Sequence, residues 1–119
     1  MPAKLLYVDD EPDLRDLVEN QLSLEGYDVT TASDGVNALE ILRKNSFDVV
    51  LLDVRMPRMN GIEVLQELQN LNLHPRTIML TGDNDLSLLA RCARLGVNDY
   101  LTKPYNFHEL INSIDRAIA

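Results

Sequence analysis

Four carboxylates crowd five positions near the start of the chain: Asp9, Asp10, Glu11 and Asp13, in LLYVDDEPD at 5–13. Three more residues with chemical potential each follow an apolar run. Asp53 closes FDVVLLD, Thr81 closes RTIMLT, and Lys103 follows DYLT. Carboxylates at such density repel one another, and crowding raises the pKa of at least one unless a cation neutralises it. Oxygen-only ligands without neighbouring His or Cys suit Mg²⁺, with Mn²⁺ the other admissible ion, rather than Zn²⁺. Lysine adds a movable point charge able to hold a carboxylate or a phosphoryl oxygen. Thr81 offers a hydroxyl to an incoming oxyanion, and Gly82 beside it leaves space. A carboxylate nucleophile, a metal, a lysine and a hydroxyl donor suffice for phosphoryl transfer onto an aspartate. No general base is needed, because a carboxylate is already ionised at pH 7.

These residues work together only if the fold gathers them. The sequence alternates apolar runs with helical stretches: strands over 4–8, 27–31, 47–52, 76–80 and 97–101. Between them the spacing predicts a helix over 12–25, with Leu14, Leu17, Val18 and Leu22 on its core face and Gly26 as its stop. A second helix starts from Ser33 or Asp34. A third carries Ile62, Val64, Leu65 and Leu68, and a fourth runs from Asp83 to Leu95. The fifth opens on an Asn106/Glu109 capping box, with Phe107, Leu110, Ile111, Ile114 and Ile118 as its core stripe. Five βα units imply an α/β fold: one doubly wound (βα)5, flavodoxin-like domain over 1–119, with a parallel five-stranded sheet. The common order for such a sheet is 2-1-3-4-5, which makes strands one and three neighbours and places ligands at the carboxyl ends where the order reverses. Asp9, Asp10, Asp53, Thr81 and Lys103 all fall at that edge.

Composition narrows the classes. A chain of 119 residues with 45% hydrophobic content can bury its own core. A net charge of −8 offers no basic footprint, so this domain by itself is not expected to bind nucleic acid. No apolar run reaches membrane-span length, and no membrane partner is expected. The single cysteine, Cys92, forms no internal disulfide and fits a reducing cytoplasm. It is expected to be a small, partly packed helix residue. His74 and His108 read as loop and first-turn residues without a role.

In VDDE (8–11), LLDVRMPRMNG (51–61), MLTG (79–82) and DYLTKP (99–104), the chain resembles the receiver domains of two-component response regulators, a CheY-like superfamily. The order and spacing of these pieces fit over essentially the whole chain. The resemblance implies that Asp53 accepts a phosphoryl group from a phosphohistidine on a histidine kinase or histidine phosphotransfer protein. It implies Mg²⁺ held by Asp10, Asp53 and the backbone carbonyl of Arg55, with Asp9 assisting through water. Lys103 would contact the phosphoryl group, Thr81 would move toward it, and Tyr100 would turn inward as the switch aromatic. The Lys103–Pro104 bond is a candidate cis peptide. Arg55 and Asp83 flank the path of the hydrolytic water and are expected to tune dephosphorylation by pairing across it.

Helix four is apolar on more than one side, through Leu86, Leu88, Leu89, Cys92 and Leu95. This reads either as generous packing or as part of a partner surface on helix four, strand five and helix five, with Arg91, Arg94, Asp99 and Arg116 as its charges. The expected output is a downstream protein or a further domain, and the expected state a monomer or a phosphorylation-linked dimer. Two alternatives remain. A Mg-dependent phosphatase with an aspartate nucleophile usually carries a second Asp where this chain has Arg55. A receiver-like interaction module that is never phosphorylated usually lacks one of the key residues, and none is missing here.

Overall fold

The computed structural model describes residues 2–82 and 86–119. Five strands alternate with five helices: β1 (Lys4–Val8), α1 (Pro12–Leu24), β2 (Asp28–Ala32), α2 (Gly35–Lys44), β3 (Val49–Asp53), α3 (Gly61–Asn70), β4 (Thr77–Thr81), α4 (Leu86–Arg94), β5 (Asp99–Thr102) and α5 (Phe107–Ile118). The sheet is parallel throughout and runs β2-β1-β3-β4-β5, the order expected from the sequence. No described helix is long and apolar enough to cross a membrane.

Side chains alternate across a strand, so each strand feeds two cores. Leu6, Val8, Val50, Leu52 and Met79 pack with α2, α3 and Cys92 of α4. Leu5, Tyr7, Val49, Leu51, Ile78 and Leu80 pack with α1 and α5. The central strands β3 and β4 are buried along their full length. Double coverage explains their continuous apolar runs.

Several details depart from expectation. Leu17 is 53% exposed, and α1 buries Val18 and Leu22 instead. At 100° per residue, Leu17 falls off the 14-18-22 stripe. Ile118 closes α5 on its exposed side, and Ala117 takes the core position. Cys92 is fully buried rather than partly packed, because α4 turns it onto β3 and β4. The Asn106 side chain accepts from the Glu109 amide, but Glu109 returns to the Asn106 side-chain amide, so the reciprocal half of the box differs. The complete capping box lies instead on α3, between Asn60 and Glu63. The expected first turn of helix four at Asp83 lies outside the described residues.

The loop from β3 to α3 is clamped at its far end. Asp34 caps α2 by accepting from the Asn37 amide at 2.8 Å and takes Arg58 at 3.0 Å. Gly35 lies so close to the Met59 carbonyl that no Cβ fits there. Gly61 seats α3 against the strand. A Cβ at Gly61 would stand 2.5 Å from the carbonyl oxygen of Asp53 and 3.1 Å from the Val54 Cα. Backbone cannot move aside as a flexible side chain can. Gly61→Ala should therefore cost about 1–3 kcal/mol, the usual range for overpacking, read as a lower urea midpoint at unchanged slope.

Candidate functional site

β1 and β3 are hydrogen-bonded neighbours, with Tyr7 opposite Leu51 and Val8 opposite Leu52. One step further along each strand stand Asp9 and Asp53. Asp10 follows on the β1 loop. One carboxylate oxygen from each of the three lies within 4.8 Å of the others. Asp9 and Asp53 are buried, whereas Asp10 is exposed. From the end of β5, Lys103 reaches between the two buried acids. Its Nζ stands 2.8 Å from Asp53 Oδ2 and 3.4 Å from Asp9 Oδ2. The Lys103–Pro104 peptide is cis, as expected.

Backbone amides finish the positioning. Arg55 N donates to Asp53 Oδ1 at 3.2 Å, and Glu11 N donates to Asp9 Oδ1 at 3.0 Å. Arg15, one turn into α1, donates to the Asp9 carbonyl at 2.8 Å. Thr81 is buried at the last rung of β4, opposite Thr102. The Lys103 amide donates to the Thr81 carbonyl at 2.7 Å, tying the lysine loop to the threonine. Tyr100 sits on β5 opposite Met79 and is 44% exposed. The sheet thus brings together Asp9, Asp10, Asp53 and Lys103, with Thr81 and Tyr100 on the two adjoining strands. Asp83, the expected partner of Arg55, lies outside the described residues.

The electrostatics follow from burial. Desolvation pushes the Asp53 carboxyl up, and the nearby Asp9 charge adds to this. The Lys103 hydrogen bond and charge, with the Arg55 amide, oppose the rise without cancelling it. Burial pulls the Lys103 ammonium down, but its bonds to Asp53 and Asp9 outweigh that and hold it above its ordinary range. Three carboxylates against one ammonium leave an excess of negative charge around an exposed oxygen ligand. Such a donor set fits a hard divalent cation. Among the described residues, Asp9, Asp10 and Asp53 are the side chains grouped closely enough to hold one.

Two tyrosines complete the site, and the sequence reading assigned neither. Tyr7 is fully buried, and its hydroxyl donates to Asp9 Oδ2 at 2.9 Å. The Tyr105 hydroxyl stands 3.3 Å from the Tyr7 hydroxyl. Tyr7 has one proton to give, and the Asp9 carboxylate can only accept, so Tyr105 is the donor in this second bond. Burial first, then Tyr105 and Asp9, drive the Tyr7 phenol far up, so it stays protonated. The signal was available: Tyr7 precedes Asp9 by two positions in a strand, and so shares its face. Farther along β5, Asp99 and Arg116 pair with each other at 2.9 Å, and Ser113 donates to the same carboxylate oxygen at 2.6 Å. Both Asp99 and Arg116 are among the charges of the partner surface that is one of the two readings of helix four. Burial pushes Asp99 up, but Ser113, then Arg116 and the Tyr100 amide, bring it below its ordinary value.

Comparison with known proteins points one way. Residues 5–115 match the family described as the response regulator receiver domain. The CpxR transcriptional regulatory protein homolog of Haemophilus influenzae is 42% identical over 112 residues, 94% of this chain and 48% of that protein. CpxR of Klebsiella pneumoniae is 44% identical over 115 residues, 97% of this chain and again 48% of its own length. The chain thus spans about half the length of these curated relatives. The receiver domain of the Francisella response regulator 1452 superposes with a TM-score of 0.92 at 30% identity, covering 98% of this chain and 96% of that one. Vibrio cholerae chemotaxis protein CheY4 gives 0.91 at 33% identity, covering 98% and 99%.

The raised Asp53 carboxyl has a measurable consequence in metal-free buffer. Its folded pKa lies above the reference value of 3.8, so the unfolded chain releases this proton first as pH rises. Asp53 therefore lowers stability as pH climbs from 3.8 through its folded pKa, and the deficit persists at neutrality. With EDTA present at pH 7, Asp53→Asn should unfold at higher urea than the parent, and the gap should close below pH 3.8. A lower midpoint for Asp53→Asn would contradict this.

Proposed function

The chain belongs to the response regulator receiver domain family, and from that membership we propose that Asp53 is its phosphoryl acceptor. The carrying observation is the placement of Asp53: buried at the end of β3, beside Asp9 and Asp10, and bonded to Lys103 at 2.8 Å. The donor is a phosphohistidine of a histidine kinase or histidine phosphotransfer protein. An Asp53 oxygen forms the new P–O bond as the P–N bond breaks, and the leaving imidazole takes up a proton from solvent.

The side chains of Asp10 and Asp53 and the Arg55 carbonyl would hold Mg²⁺, with Asp9 acting through water. When bound, the ion supplies positive charge to the phosphoryl oxygens. Lys103 needs only a short shift to leave the Asp53 carboxylate for the phosphoryl group, because its stem is flexible and its charge compact. Thr81 offers its hydroxyl from the next strand. Its movement would open space for Tyr100, now half exposed on β5, to turn inward and change the face formed by α4, β5 and α5. No turnover of external substrates is proposed, because Arg55 stands where a hydrolase of this chemistry needs a second acid. Arg55 is also the residue that, by the family resemblance, would slow hydrolysis of the aspartyl phosphate. We place the protein in the cytoplasm, and its output in a downstream protein or a further domain. The two CpxR relatives are transcriptional regulators about twice the matched length.

Incubation with acetyl phosphate and Mg²⁺ should add one phosphoryl group, detected as a mass shift and removed by hydroxylamine. Asp53→Asn should add none, and EDTA should block the reaction. Lys103→Ala should lose most of the rate while remaining folded. Labelling of Asp53→Asn equal to the parent would overturn the assignment. In a separate measurement, phosphorylated Arg55→Ala should lose its phosphoryl group faster than the phosphorylated parent.

A further inference from the structure

We propose that Tyr7, itself held by Tyr105, is a positioning residue for the carboxylate of Asp9 and through it for the metal site. The inference rests on the functional reading above and adds to it two residues that the family motifs do not contain. Tyr7 lies within β1 among Leu5, Val49 and Leu51, where a purely apolar side chain would pack as well. A phenol hydroxyl buried there is tolerated only if it finds a partner. It finds Asp9 Oδ2 at 2.9 Å, and Tyr105 closes the chain at 3.3 Å.

Acceptor geometry gives the hydroxyl its role. Asp9 takes donors from Glu11 N, Tyr7 and Lys103. A carboxylate offers about four acceptor positions, so these donors fix the group and leave roughly one position open. Tyr7 also shares Oδ2 with the lysine. The lysine's short contact is accordingly with Asp53, at 2.8 Å, and its longer one with Asp9, at 3.4 Å. When Lys103 moves to a phosphoryl group, Asp9 Oδ2 loses that donor while Asp9 remains fully buried. On that oxygen, Tyr7 is the donor that stays. It keeps Asp9 oriented in both states, and with it the water through which Asp9 would reach the ion.

The test uses the full chain, unphosphorylated, titrated with Mg²⁺ by calorimetry. Tyr7→Phe should weaken Mg²⁺ binding severalfold, short of the roughly tenfold low end for losing the partner of a direct ligand, because Asp9 acts through water. Tyr105→Phe, a change farther from Asp9, should weaken it less. The double variant should match Tyr7→Phe alone, because Tyr105 acts through Tyr7. With acetyl phosphate, the half-saturating Mg²⁺ concentration should rise while the rate at saturating Mg²⁺ is kept, a split that general loss of structure would not give. Circular dichroism checks the fold, and should Tyr7→Phe fail it, Tyr105→Phe carries the test alone. Unchanged Mg²⁺ affinity in a folded Tyr7→Phe, or additive effects in the double variant, would overturn the proposal. A parent that takes up no Mg²⁺ overturns the functional reading as well, whereas a parent that binds beside an unaffected Tyr7→Phe overturns this inference only.

Discussion

Two carboxylates that repel each other are packed into one end of a sheet, and a single ammonium keeps them there. With Asp9 and Asp53 oxygens within 4.8 Å, two unit charges repel by at least about 3 kcal/mol at an effective dielectric of ~20. Lys103, 2.8 Å from Asp53 and 3.4 Å from Asp9, attracts the two by about 6 and about 5 kcal/mol on the same scale. Lysine therefore holds the pair in place, but burial still leaves Asp53 above its ordinary pKa. The site is poised between collapse and repulsion. A side chain under such tension gains from any new positive charge nearby.

Topology makes the cluster unavoidable. In the order β2-β1-β3-β4-β5, the chain leaves β1 toward one edge for β2 and then crosses back to β3. Loops diverge at that point, and their separation opens the crevice in which Asp9, Asp10 and Asp53 meet. Covering both faces of the sheet with helices keeps water from the central strands β3 and β4. The buried acids Asp9 and Asp53 stand at strand ends, where this cover stops.

Most of this was legible in the sequence because apolar runs, turn glycines and acid placement agree with one another. Gly26 and Gly96, for instance, end their helices with positive φ. The strand limits were read less well, and the errors share a direction. β3 reaches Asp53, β4 reaches Thr81 and β5 reaches Thr102, each beyond the last apolar residue. A hydropathy reading stops where apolar side chains stop, but the backbone ladder continues into the polar residue that follows. Asp53 and Thr81 are thus rungs of the sheet rather than loop residues, which fixes them more firmly than the sequence suggested. Tyr7 was hidden for the opposite reason. Its ring belongs to the core and its hydroxyl to the site, and periodicity sees the ring alone. Asp99 and Arg116 show that a surface charge is not free for a partner until its neighbours have been accounted for.

The hydroxyl chain through Tyr105 and Tyr7 has an optical consequence. The protein contains four tyrosines and no tryptophan, so its near-ultraviolet absorption and emission come from phenols. Two of those four are wired to the acid cluster. A phenol bonded to a carboxylate emits differently from one in water, and a cation arriving beside that carboxylate changes the bond. The molecule therefore carries its own dye for the state of its pocket, and needs no foreign label to follow it.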